Sequence, residues 1–145
     1  MTQLVAELND YILKKYGDTE PILNKGNLEF CLWKSLRDAK NQKEDFYKIW
    51  TSSTLLQIAK VHPFTEGNKR TSYVVSKLIL LLGKYDFEIN YDDAVHYLRK
   101  IAAGKVPFKE VFAWVHKHAK ESNNEPYEEI KHFVELLKKA TESDL

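Results

Sequence analysis

The sequence contains one cysteine, few helix-breaking residues and no long apolar run. Cys31 has no second cysteine with which to form a disulfide inside the chain, so nothing points to an oxidising compartment. The longest apolar stretch, LILLLG from Leu78, is far shorter than the ~20 residues that span a bilayer. The N-terminus is acidic where a secretory signal would be basic. These absences predict a cytoplasmic protein that does not enter membranes, with Cys31 as a buried, unreactive thiol.

No charge of one sign dominates the chain. There are 22 Lys and Arg residues against 21 Asp and Glu residues, so the basic excess that non-specific phosphate-backbone binding requires is missing. Nucleic acid is therefore not expected to be the main partner. A length of 145 residues with 43% hydrophobic content suits one globular domain with its own core.

The spacing of apolar residues is helical in nearly every segment, and no hairpin turn signal separates two alternating runs. KYDFEI, residues 84–89, is predicted to be a short extended segment, and ESNNE, residues 121–125, a polar linker. The fold class is predicted to be all-α, with the most apolar helix at the centre. The predicted helices reach residue 16 from the N-terminus, cover 27–39, 44–61, 68–83, 91–104 and 107–120, and resume at 126.

The stretch HPFTEGNKR, residues 62–70, lies between two of these helices. Pro63 ends the preceding helix, and the next begins near Asn68. The free N–H groups and the dipole of a helix N-terminus attract anions. Gly67 lets the backbone approach a ligand and Asn68 adds an amide donor, while Lys69 and Arg70 add positive charge. This composition predicts a phosphate-binding loop.

Two further side chains give the loop the means to react. Glu66 would repel a phosphate unless a cation lies between them, and Mg²⁺ binds one carboxylate together with phosphate oxygens. His62 is suited to take a proton from an incoming hydroxyl. Phe64 is expected to turn into the core and anchor the loop. Together these are the parts of a phosphoryl-type transfer site, which works by positioning and charge neutralisation.

Each of these residues also has an ordinary structural explanation. A histidine or an asparagine at a helix end is usually a cap. A glutamate in a first turn usually complements the helix dipole, and adjacent basic residues are usually solvated charges. The interpretation as a reactive loop therefore depends on the residues acting together.

HPFTEGNKRT closely resembles the signature of the Fic/Doc superfamily, whose Fic branch reads HPF-x-D/E-GNGR-x-x-R, and it is most similar to the Doc (death-on-curing) toxin branch. The segment IAAGKVPFKEVFAWV, residues 101–115, adds to the resemblance, which covers roughly residues 1–120. It implies a compact helical bundle whose motif loop leads into a central helix. On this basis residues 1–120 form the catalytic domain. Residues 121–145 lie outside the resemblance, and their helix is expected to pack on the same domain; a helix that fills the antitoxin groove or forms a dimer stays open as an alternative.

The resemblance also implies roles for the residues of the loop. His62 corresponds to the base that activates a target hydroxyl, and Glu66 to the Mg²⁺ ligand. Gly67, Asn68 and Arg70 correspond to the cradle of the nucleotide phosphates. The connector 19–26 corresponds to the flap that holds the target segment against the site.

Two departures from the Fic pattern bear on the reaction. Fic adenylyltransferases have glycine in place of Lys69 and a second arginine, which grips the terminal phosphates, in place of Tyr73. In Doc proteins the lysine is thought to fill the space of an α-phosphate, so that ATP binds in reverse and presents its γ-phosphate. The expected activity is therefore that of a Doc-like protein kinase toxin that uses ATP and Mg²⁺.

The resemblance implies two protein partners. The target would be phosphorylated on a Ser or Thr hydroxyl and is expected to be a translation elongation factor. The chain lacks the Ser/Thr-x-x-x-Glu-Gly/Asn motif of autoinhibited Fic proteins, so restraint by an antitoxin is expected instead. Two alternatives stay open: a Fic-type adenylyltransferase with the same site, and a catalytically idle binding module.

Overall fold

The structure is a computed structural model that describes residues 25–42, 44–61 and 70–123, together with residues 3, 6, 7, 10, 14, 131, 132, 135 and 139. The nine isolated positions near the two ends are all helical. Between residues 25 and 123 the described elements are α1 (Lys25–Lys40), α2 (Phe46–Val61), α3 (Arg70–Leu82), β1 (Tyr85–Phe87), α4 (Tyr91–Ala102), α5 (Phe108–His118) and β2 (Ala119–Glu121). The predicted all-α class is confirmed, with one small sheet added.

Helix α3 lies between two apolar clusters that hold the bundle together. The first cluster joins α3 to α1 and α2, and its buried members are Leu28, Cys31, Leu32, Leu36, Ala39, Trp50, Ile58, Val74, Val75, Leu78 and Ile79. The second joins α2 and α3 to α4, α5 and the strands through Leu55, Leu80, Phe87, Leu98, Ile101, Val111, Val115 and Ala119. Because α3 contributes to both clusters, it is the central helix that the sequence predicts.

Helix α2 buries three small hydroxyl residues and is bonded to α1 through Trp50. The hydroxyls of Thr51, Ser52 and Thr54 donate to backbone carbonyls four residues earlier, at 2.7–2.8 Å, so they are buried without loss of a hydrogen bond. The fully buried Trp50 donates from its ring nitrogen to the carbonyl of Leu32 in α1, at 3.3 Å. The Trp50 bond joins α2 to α1, and the end of α2 leads into the motif.

The C-terminal end of α3 requires glycine for reasons of space. A Cβ atom on Gly83 would lie 2.5 Å from ring atoms of Tyr47 in α2, closer than real contacts allow. The left-handed turn that follows the helix is formed by Lys84, whose φ is +64°. The stop predicted at Gly83 is thus confirmed. The close approach of Tyr47 explains why the residue there is glycine, and the left-handed conformation of Lys84 takes the chain out of the helix.

The end of α5 differs from the prediction. The helix predicted to run to Lys120 ends at His118, and Ala119–Glu121 pairs antiparallel with β1 in the register Tyr85↔Glu121. The amide of Glu88 donates to the carbonyl of His118 at 2.8 Å. The linker predicted over 121–125 therefore begins inside a strand. The extended segment predicted at 84–89 is confirmed as β1.

The helix predicted from residue 126 is described at four positions. Residues 131, 132, 135 and 139 are helical, and Nε2 of His132 contacts a carboxylate oxygen of Glu7 near the other end of the chain. The division between residues 120 and 121 stays a prediction. Within the described part of the chain, none of the helices is long and apolar enough to cross a membrane.

We expect Cys31 to be unreactive in the folded protein. Its side chain is fully buried, and burial raises the pKa of the thiol to about 11, only partly offset by a backbone hydrogen bond. At pH 8 the thiolate fraction should then be on the order of 10⁻³. Labelling with iodoacetamide should be slow in buffer and fast in denaturant. Rapid stoichiometric labelling of the folded chain would contradict this placement.

The same pKa shift has a consequence for stability. The unfolded thiol loses its proton at about pH 8.5, whereas the folded thiol holds it until about pH 11. The contribution of Cys31 is therefore fully present below pH 8.5 and is lost as pH rises through this window. Chemical denaturation at a series of pH values should show a steeper decline for the parent than for Cys31→Ala.

Candidate active site

The HPFTEGNKR motif begins where α2 ends and finishes where α3 begins. Val61 is the last residue of α2 and Arg70 is the first residue of α3, and the two helices pack on each other in the core. Of the predicted site residues, Arg70 is described as helical backbone. The others lie outside the described residues: His62, Phe64, Glu66, Gly67, Asn68 and Lys69.

The N-terminal end of α3 is electrostatically suited to an anion. Its first turn contains no acidic residue, so no side chain there offsets the positive end of the helix dipole. The first amides of a helix have no acceptor within the helix itself. A phosphate over this end would therefore meet N–H donors and a favourable field, as the sequence predicts.

The sides of α3 are closed to a ligand along most of its length. Eight of its residues are buried, namely Ser72, Tyr73, Val74, Val75, Ser76, Leu78, Ile79 and Leu80. Lys77 interrupts this series as an exposed residue. A ligand can therefore approach this part of α3 at its N-terminal end and along the narrow face that carries Lys77.

Tyr73 fixes the first turn of α3. It is 8% exposed, and its hydroxyl donates to the backbone carbonyl of Ile89 at 2.8 Å. The ring of Tyr91 meets the Tyr73 ring edge-on, with centroids 5.5 Å apart, and the ring of Phe87 lies 6.3 Å away. The turn that carries Arg70 is thus tied to the segment between β1 and α4.

Lys77 lies one turn after Tyr73. Its ammonium nitrogen is 5.0 Å from the centroid of the Tyr73 ring, within the range of a cation–π interaction. Side chains on a helix lean toward its N-terminus, and this contact shows the lysine doing so. The motif itself does not point to Lys77. The available signal is a single charged residue inside the apolar run YVVSKLILLL.

The connector predicted over 19–26 is corrected at its end. Lys25 and Gly26 belong to the first turn of α1, and the remainder, 19–24, lies outside the described residues. A glycine is tolerated there because it is exposed at the helix end, outside the packed interior. The part of the chain available to a flap is correspondingly shorter.

The predicted metal ligand, Glu66, belongs to the HPFTEGNKR motif. In the portion of the chain that the structure describes, no group of three or more His, Cys, Asp or Glu side chains is placed to hold a metal ion. The candidate ligand Glu66 lies outside that portion. The assignment of Glu66 to a metal stays a prediction.

Comparison with known families decides the identity of the motif. The model of the Fic/DOC family matches residues 2–80, slightly more than half of the chain. The chain belongs to the Fic/DOC family. Comparison with curated proteins and with solved structures gave no significant match. The match covers the whole motif and most of α3.

Family membership defines the class of activity. As a member of the Fic/DOC family, the protein is a nucleotide-dependent transferase that modifies proteins. The match spans both the HPFTEGNKR motif and the start of α3.

Replacing Tyr73 should separate the contribution of its hydroxyl from that of its ring. Tyr73→Phe removes the bond to Ile89 and should lower the free energy of unfolding by about 0.5–1.5 kcal/mol. Tyr73→Ala also empties the ring site and should cost about 3–5 kcal/mol. Urea denaturation of both variants measures the two losses. Equal stability of parent and Tyr73→Phe would show that the hydroxyl bond contributes nothing.

Proposed function

We propose that this Fic/DOC protein is a Doc-like protein kinase that transfers the γ-phosphate of ATP to a Ser or Thr hydroxyl of a target protein. The observation that carries the proposal is the state of Tyr73. It stands where Fic adenylyltransferases have the arginine that grips terminal phosphates, and it is neutral, buried and hydrogen-bonded to Ile89. Lys69, at the position of a Fic glycine, supports the same branch.

The reaction needs one proton transfer and one displacement. His62 takes the proton of the target hydroxyl as its oxygen attacks the γ-phosphorus. The bond between the γ-phosphorus and the β,γ-bridging oxygen breaks, and ADP leaves with the electron pair. The N–H groups at the start of α3, with Lys69 and Arg70, hold the transferring phosphoryl group in line. Phe64 is proposed to anchor the loop that carries His62.

The donor chemistry of the motif fits magnesium. A single carboxylate next to a phosphate site matches an ion that binds one protein oxygen, phosphate oxygens and several waters. Glu66 would hold it. When bound, Mg²⁺ neutralises charge on the phosphate oxygens and so lowers the repulsion that the attacking hydroxyl meets.

The proposed biological setting follows from the resemblance to the Doc branch. We infer a cytoplasmic toxin whose target is a translation elongation factor, restrained by an antitoxin segment that folds on its surface. The charge balance supports a protein substrate over nucleic acid, since the chain has no basic excess.

The position of the labelled phosphorus in ATP distinguishes transfer of the γ-phosphate from transfer of AMP. The protein, Mg²⁺ and ATP labelled at either the α- or the γ-phosphorus are incubated with cell extract, and labelled proteins are separated by gel. Label should enter protein from the γ-position alone. Label entering only from the α-position would establish AMP transfer instead. If calorimetry detects no binding of ATP with Mg²⁺, the protein is an idle binding module.

His62→Ala should lower the transfer rate by about 10²–10⁴-fold, the usual contribution of a general base. The affinity for ATP with Mg²⁺ should change little, because the imidazole acts on the target hydroxyl. Initial rates of γ-label transfer and titration calorimetry measure the two quantities separately. An undiminished rate in His62→Ala would remove His62 from the mechanism.

A further inference from the structure

We infer that Lys77 is a nucleotide-binding residue whose ammonium group contacts the phosphates that leave with the nucleoside. The inference rests on the proposed nucleotide-dependent function and adds a residue beyond the HPFTEGNKR motif. Its starting point is that Lys77 is exposed between two runs of buried residues, Ser72–Ser76 and Leu78–Leu80. A lysine at such a position lies where the enclosed helix reaches solvent.

The position of Lys77 on α3 relates it to the start of the helix. Seven residues make almost two turns, so positions 70 and 77 differ by only about 20° around the helix axis. Tyr73 lies about 60° from position 70 on the same side. Positions 70, 73 and 77 therefore form one longitudinal face that begins at the anion-binding end.

The ammonium group of Lys77 is directed along this face toward that end. Its nitrogen lies 5.0 Å from the centroid of the Tyr73 ring. Tyr73 is the residue one turn nearer that end, and its Cα lies roughly 4.5 Å along the axis from that of position 70 at 1.5 Å per residue. The lysine stem lies along α3 and does not extend straight into solvent.

The Tyr73 ring is a fixed platform for this charge. Its hydroxyl is bonded to the carbonyl of Ile89, and the ring is packed against Phe87 and Tyr91. A cation over such a ring keeps its hydrogen-bond donors free for a ligand, because an aromatic face attracts positive charge without accepting a conventional hydrogen bond. Lys77 is thus held loosely in place with three N–H donors available to phosphate oxygens.

The proposed reaction is favoured by a positive charge near the departing phosphates. In the proposed reaction the donors of the motif hold the phosphoryl group that is transferred, whereas negative charge develops on the oxygen of the departing diphosphate as the bond breaks. A charge one turn further along the same face is positioned to offset it. Lys77 then belongs to the departing end of the nucleotide, and Lys69 and Arg70 to the transferred end.

The test compares nucleotides that differ in phosphate number. Dissociation constants for adenosine, AMP, ADP and ATP, with Mg²⁺ present, are measured by calorimetry for the parent, Lys77→Gln and Lys77→Arg. Lys77→Gln should weaken ADP and ATP by about five- to tenfold, the size expected for one charge-assisted contact at a solvent-accessible site. Adenosine should change less than about twofold, since it carries no charge for the lysine to meet. Lys77→Arg should restore most of the loss.

Lys84→Gln is the matched control. It removes the same charge from an exposed lysine at the opposite end of α3, about 20 Å from position 70 along the axis. It should leave all four constants unchanged. Circular dichroism melting of each variant establishes that the fold is retained.

The inference is overturned if Lys77→Gln binds ADP as the parent does, or if it weakens adenosine as much as ADP, because the lysine would then have a purely structural role. It is also overturned if the parent does not bind ADP at all. AMP transfer by a parent that shows the expected ADP pattern would refute the proposed kinase reaction and the leaving-group role of Lys77, and its contact with the nucleotide phosphates alone would stand.

Discussion

The burial of α3 on nearly all sides is the constraint on which the rest of the structure depends. Residues of α1 and α2 cover one side of it, and residues of α2, α4, α5 and β1 cover the other. A helix enclosed in this way cannot tilt or slide without opening both clusters, at roughly 25 cal/mol for each Å² of apolar surface exposed. The direction of its N-terminal amides is therefore set by the whole bundle, and the motif leads into a helix end whose position is fixed.

Enclosure also explains the polar residues within α3. Ser72 and Ser76 are buried at 2% exposure, where larger side chains would force neighbouring helices apart. Tyr73 needs a partner for its hydroxyl in such surroundings and finds the Ile89 carbonyl. After Arg70 at its start, the helix contains polar groups that are small or paired, and one charged residue, Lys77, where its surface is exposed. A conventional amphipathic pattern is absent because there is no wide solvent-facing side to mark.

Local chemistry explains what the sequence could predict. The stop before the motif, the capping of α4 by Asn90 and the central apolar helix all depend on residues within a few positions of each other. The Asn90 side chain accepts from the Asp93 amide at 2.8 Å, a bond that the order Asn-x-x-Asp makes predictable. The family itself was recognisable because nine consecutive residues carry its chemistry.

Contacts between distant parts of the chain explain what the sequence could not predict. Strand β2 pairs with residues more than thirty positions earlier, and no turn signal links the two. A helix was predicted there because Ala119 and Lys120 continue the α5 pattern, and pairing with β1 overrides that local preference. The packing of Tyr47 over Gly83 and the bond from Tyr73 to Ile89 are similarly non-local. The placement of Lys77 over Tyr73 needed the structure because a lysine in sequence carries no sign of where its charge will lie.

The part of the chain beyond the family match is as necessary to the site as the matched part. The match ends at Leu80, yet Leu80 itself packs in the second cluster with Leu98, Ile101 and Val111. The carbonyl that accepts the hydrogen bond from the Tyr73 hydroxyl belongs to residues 87–91. The two aromatic rings that pack on Tyr73 belong to the same segment. Without them, the first turn of α3 would lose its hydrogen bond and one of its two apolar walls. The segment after the match therefore holds the first turn of α3 in place, and a fixed helix start is what catalysis by positioning would require of this end.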